Sequence, residues 1–106
     1  MGVFVIACFK PKPGKEKMLL DVVRDHLPVL RKEGLVTEKQ SLTMKSKEGS
    51  IVEVFEWKSE KAIEEAHKSK TVLELWKRFE ESSDYIPVAS IEEAKHVFSN
   101  FEPVEL

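Results

Sequence analysis

Positions 2 to 10 read "GVFVIACFK", a run that is apolar, β-branched or aromatic almost without interruption. Such a run reads as a strand buried on both faces. Strand alternation puts Phe4, Ile6 and Cys8 on one face and Val3, Val5, Ala7 and Phe9 on the other. "IVEVFEWK" at 51 to 58 repeats the problem, with Ile51, Phe55 and Trp57 against Val52 and Val54. Helices cover one face of an antiparallel sheet, and the other ordinarily alternates with polar residues. Here both faces need cover, and a second copy of the same sheet is the economical source of it. A homodimer is therefore expected.

Between these runs the pattern changes. The prolines and glycine of "PKPG" (11 to 14) end the first strand in a turn. Leu19, Val22, Val23, His26, Leu27 and Leu30 then form one helical stripe, with Pro28 set to kink or weaken it and Gly34 placed to stop it. "LVTEKQSLTMK" (35 to 45) alternates imperfectly, as a half-solvated strand would, and "SKEGS" (46 to 50) is a hairpin loop. Ser59 caps a helix running to about Lys68, with Ile63, Ala66 and His67 inward. Thr71 with Glu74 forms a capping box before Val72, Leu75, Trp76 and Phe79, the clearest helical spacing in the chain. "DYIPVAS" reads as a loop, and Ser90 with Glu93 opens a short helix at "IEEAKH". "VFSNFEPVEL" reads as a last edge strand, because Pro103 cannot donate to a ladder. The order β-α-β-β-α-β, with a split second helical region, predicts an α+β, ferredoxin-like domain over residues 1 to 106 with a four-stranded antiparallel sheet.

Composition narrows the function classes. A net charge of −2 gives no basic field for nucleic acid or anionic membrane, and no apolar run reaches the roughly 18 residues that span a bilayer. The expected compartment is the cytoplasm. The single cysteine, Cys8, excludes an internal disulfide and a cysteine zinc site, and its apolar strand marks it as an inert thiol. His26 and His96, on helices among charges, read as surface residues, and the three histidines show no metal-ligand spacing.

The element order, "FEWKSEKAIEEAHKS" and the closing "YIPVASIEEAKHVFSNFEPVEL" resemble the antibiotic-biosynthesis-monooxygenase-like group of the dimeric α+β barrel superfamily. The resemblance implies a homodimer whose two sheets face each other as a barrel, with a pocket between sheet and helices in each protomer. It implies a monooxygenase acting on a small aromatic or quinol-type compound with molecular oxygen and no bound cofactor. A non-catalytic binding or stress-response barrel, or an isomerase or lyase, are further activities of the superfamily. The haem-degrading branch carries an Asn on the first strand, a Trp in the helix after the third strand and a His in the next helix. Aligned on "PG" and "WKS", those positions hold Ala7, Ala66 and Trp76, none of which matches.

Within this frame His67 is a candidate general base or hydrogen-bond donor, because an imidazole ordinarily titrates near neutrality. The competing reading is a helix histidine bonded to a carbonyl at the solvent edge. Trp57, Trp76 and Phe79 are candidates for an aromatic substrate pocket, against a plain core role that the stripe spacing of Trp76 and Phe79 favours. Tyr85, after the helix and before Pro87, is a candidate to assist catalysis by orienting a ligand through its hydroxyl.

Overall fold

The computed structural model describes residues 2–106; Met1 of the expected domain lies outside them. The chain is α+β. Three helices pack on one face of a five-stranded antiparallel sheet. The elements are β1 (Val3–Pro11), α1 (Glu16–Lys32), β2 (Leu42–Lys45), β3 (Ile51–Trp57), α2 (Glu60–Ala66), α3 (Lys70–Ser82), β4 (Ser83–Ile86) and β5 (Glu102–Pro103). The sheet order is β4-β1-β3-β2-β5.

The central pair is β1 with β3, in register from Val3 opposite Trp57 to Phe9 opposite Ile51. This register gathers Val5, Ala7, Phe9, Ile51, Phe55 and Trp57 on the helix side. The apolar stripe of α1, with Leu19, Val22, Val23, Leu27 and Leu30 buried, seals that layer together with Val72, Leu75 and Phe79 of α3. Pro28 sits inside α1 on its exposed side, and the helix continues through it to Lys32. Gly34 then adopts φ +72°, and the amides of Gly34 and Leu35 bond back to the carbonyls of Arg31 and Leu30. This paired closure needs a left-handed residue, which glycine adopts without steric cost.

Five features differ from the sequence expectation. β2, expected over residues 35 to 45, forms only over Leu42–Lys45, with Val36 meeting Trp57 in a single bridge. Ser83–Ile86, expected as loop, is strand β4, paired with β1 from Cys8 opposite Ile86 to Pro11 opposite Ser83. The hydroxyls of Ser82 and Ser83 bond the last carbonyls of α3, at Arg78 and Phe79, so the helix stops and the strand begins with no glycine or proline between them. The expected closing strand shrinks to Glu102–Pro103, which pairs with Met44 and Lys45 of β2, so the sheet has five strands rather than four. The helix expected at 91 to 96 is a 3₁₀ turn. The cap of α3 is Ser69, whose hydroxyl accepts from Val72 N–H, and not the Thr71–Glu74 box; Ser59 caps α2 as the spacing predicts.

The far face of the sheet is covered in part. The C-terminal segment folds under the sheet, where Ile91 and Phe101 pack against Cys8, Val52, Met44 and Ile86. Phe4 (61% exposed), Ile6 (53%) and Leu42 (54%) on the same face stay uncovered.

Glu93 ties the C-terminal segment to the β2–β3 turn. Its Oε2 accepts from Lys47 N–H at 2.9 Å, and this bond is the chief cause holding its carboxyl below the usual carboxylate range. A carboxyl depressed in the folded state contributes stability that is present above its unfolded pKa and is lost as pH falls through its folded value. Glu93→Gln should therefore be less stable than the wild type in urea at neutral pH, and the difference should shrink as pH drops below about 4. A difference of equal size at both pH values would contradict this role.

Candidate functional site

One cavity of about 320 Å³ opens between the sheet and the helices. It exists because β1 presents the small Ala7 between Val5 and Phe9, so the helices above find a gap there. Phe55 and Trp57 of β3 form the rest of the floor, and Trp76 and Phe79 of α3 form a wall. The mouth is polar and exposed, with His67, Glu80 and Tyr85 around it. All five residues singled out in the sequence, Trp57, His67, Trp76, Phe79 and Tyr85, border this one cavity. Trp57 and Phe79 also belong to the buried core, so cavity lining and packing are one role for them.

His67 departs from its expected inward position. α2 ends at Ala66, which takes the buried site, and His67 follows as the exposed C-cap residue. Its ring meets Trp76 edge-on at 4.9 Å between centroids, and its Nδ1 lies 2.8 Å from the Ile63 carbonyl. A carbonyl oxygen only accepts, so Nδ1 carries the hydrogen and Nε2 keeps a free lone pair. Tyr85 stands on β4 opposite Phe9, and the two rings meet at 5.8 Å. The residue is exposed as a whole, but its hydroxyl donates to the Trp76 carbonyl at 3.3 Å. Burial of that end, and then the Glu80 carboxylate, pushes the phenol above its usual range. Tyr85 is thus a hydrogen-bond donor at neutral pH rather than a base.

The sequence reading missed a buried pair of ionisable side chains. His26, expected at the surface, is 4% exposed and borders the cavity; Glu53, on β3 between Ala7 and Thr43, is 1% exposed. His26 Nδ1 lies 2.7 Å from Glu53 Oε1. The imidazole is wedged edge-on between Phe55 (5.4 Å) and Phe79 (4.9 Å). Its Nε2 is buried with no hydrogen-bond partner among the described residues. An unsatisfied buried acceptor costs about 1–3 kcal/mol. The signal lay in the pattern, since His26 falls on the apolar stripe of α1 and Glu53 on the inward positions of a strand. Cys8, buried on the opposite face, has its thiol pushed up by burial and stays out of the site.

The described residues hold no cluster of three or more histidine, cysteine or acidic side chains that could ligate a metal ion. No helix among them is long and apolar enough to cross a membrane.

Breaking a buried pair strands one polar partner, whereas replacing both with apolar groups relieves the burial cost. His26→Leu and Glu53→Leu should each lower unfolding free energy by about 3 kcal/mol, and the double variant should lose much less than the sum. Urea denaturation of the four proteins checks this; additive losses would mean that the two side chains do not act as a unit.

Compared with protein-family models, curated proteins and solved structures, the chain finds no match.

Proposed function

We propose that the protein binds a small aromatic or quinol-type compound in the sheet–helix cavity and oxidises it with molecular oxygen, without a bound cofactor. The observation that carries this reading is the cavity itself. It has aromatic walls from Phe9, Phe55, Trp57, Trp76 and Phe79, and its exposed polar groups, His67, Glu80 and Tyr85, sit at the mouth. Aromatic rings favour flat apolar ligands through offset and edge contacts. No lysine or arginine borders the cavity, so a substrate bearing a permanent anionic group has no counter-ion there. In the reaction, loss of a proton from the substrate leaves an electron-rich anion. That anion passes an electron to oxygen, the resulting radicals combine, and loss of water from the peroxide leaves a carbonyl. The protein's share is to bind, orient and exclude bulk water. At the mouth the Tyr85 hydroxyl donates to the Trp76 carbonyl and keeps its oxygen as an acceptor, and the neutral His67 ring offers Nε2.

The same reading includes a ferredoxin-like unit dimerising as an α+β barrel. The neighbours β4-β1-β3-β2 support the first part, with β5 as an added edge. The uncovered Phe4, Ile6 and Leu42 support the second, because they form an apolar patch on a sheet face that the C-terminal segment leaves open. A second copy of that face would cover it.

Two measurements test these statements. Oxygen uptake with an anthrone or a hydroquinone should be faster with protein than without, and Ala7→Phe, which fills the gap under the helices, should abolish the increment. No uptake with any such compound would remove the oxidative reading. Sedimentation at micromolar concentration should give a dimer mass, with Ile6→Asp giving monomer or aggregate; a soluble wild-type monomer would remove the barrel.

A further inference from the structure

Three side chains from three elements meet at the mouth of the cavity: His67 at the end of α2, Glu80 on α3 and Tyr85 on β4. All three are exposed, so a ligand can reach them. The chain itself uses up the hydrogens they could give. His67 Nδ1 donates to the Ile63 carbonyl at 2.8 Å, which leaves the neutral ring a nitrogen that only accepts. The Tyr85 hydroxyl donates to the Trp76 carbonyl at 3.3 Å and keeps its oxygen lone pairs. An ionised Glu80 carboxylate has no hydrogen to donate.

We propose that the cavity takes an aromatic compound carrying a protonated primary amine on a short chain, with the ring between sheet and helices and the ammonium on the acceptors of the mouth. The proposal rests on the reading of the cavity as a small-aromatic site, and it names the kind of aromatic compound that the site selects.

An ammonium group has three N–H donors and no acceptor, the complement of a mouth built from acceptors. A hydroxyl in the same place would bring one hydrogen. A carboxylate would bring none and would meet the like charge of Glu80. The charge at the mouth is acidic in its effect on the neighbouring groups. After burial, the Glu80 carboxylate is what raises the Tyr85 phenol, so the two acceptors are close enough to interact. No lysine or arginine borders the cavity. Lys12 donates to the main-chain carbonyl of Glu80 at 2.6 Å and lies outside the lining. The indoles of Trp57 and Trp76 add N–H donors to the lining but no charge. The aromatic walls suit the ring of the ligand, and a volume of about 320 Å³ suits a compact one. Because the mouth is open to solvent, the preference for the cation is modest in size.

The test compares phenethylamine, phenethyl alcohol and phenylpropanoate, which share a ring on a short chain and end in a cation, a neutral group and an anion. Calorimetric titrations of the wild-type protein are run at about pH 8, where alkylamines are protonated and imidazoles are neutral. The amine should bind about fivefold more tightly than the alcohol, the scale of an exposed ion pair, and phenylpropanoate should bind most weakly. Glu80→Gln, a change at an exposed position, should bring the amine close to the affinity of the alcohol and leave the alcohol unchanged. Equal binding of amine and alcohol by the wild type, or tighter binding of phenylpropanoate, would overturn the ammonium site and leave the cavity reading intact. So would an amine preference that persists unchanged in Glu80→Gln. Binding of none of the three compounds to the wild type would overturn the cavity reading and the ammonium site with it.

Discussion

A carboxylate sits in the apolar layer between sheet and helices, and one imidazole nitrogen 2.7 Å away is what makes that tolerable. Glu53 needs α1 to place His26 over β3, where the ring packs edge-on between Phe55 and Phe79. A one-residue slip in the β1–β3 register would turn Glu53 to the far face and strand the histidine. The pair therefore constrains register, the rotation of α1 and the cavity together. It adds little net stability for that, because two polar groups have been taken out of water to form it. A chain selected for packing alone would fill the same space with leucine and phenylalanine.

The two faces of the sheet serve different ends. The helix side holds the aromatic cavity, with the polar His67, Glu80 and Tyr85 at its mouth. The far side is closed over its Cys8–Val52 half by the chain's own C-terminal segment and open over its Phe4–Ile6 half. The doubly apolar first strand is thus explained in part within one chain. Ile91 and Phe101 supply cover that the sequence alone assigns to a second copy.

How much of this is legible in the sequence depends on which interactions are local. The periodicity of α1 and α3, the Ser59 cap and the Gly34 stop are set by neighbours in the chain, and they stand where the pattern places them. β4 is not legible because its identity as a strand comes from pairing with Cys8 to Pro11, about 75 residues earlier, and Pro87 beside it reads as a break. The end of α2 falls two residues short of the expected Lys68, with Ala66 buried and His67 exposed as the C-cap. The aromatic residues of the cavity could be chosen by type and spacing, and the structure brings them together. His26 and Glu53 could not be paired, since they lie 27 residues apart and a histidine flanked by Asp25 and Arg24 resembles a solvated one. The informative mark was a titratable residue at an inward position of each element.

The central claim is that Glu53 fixes the hydrogen of the neutral His26 ring on Nδ1 and leaves Nε2 buried without a partner. Long-range ¹H–¹⁵N correlation spectra of the wild-type protein, recorded at a pH where the ring is neutral, read the tautomer directly. The expected result is a single Nδ1-protonated form for His26, with an Nε2 signal of the unprotonated type. An Nε2-protonated ring, or an average of both tautomers like that of a free imidazole in water, would contradict it.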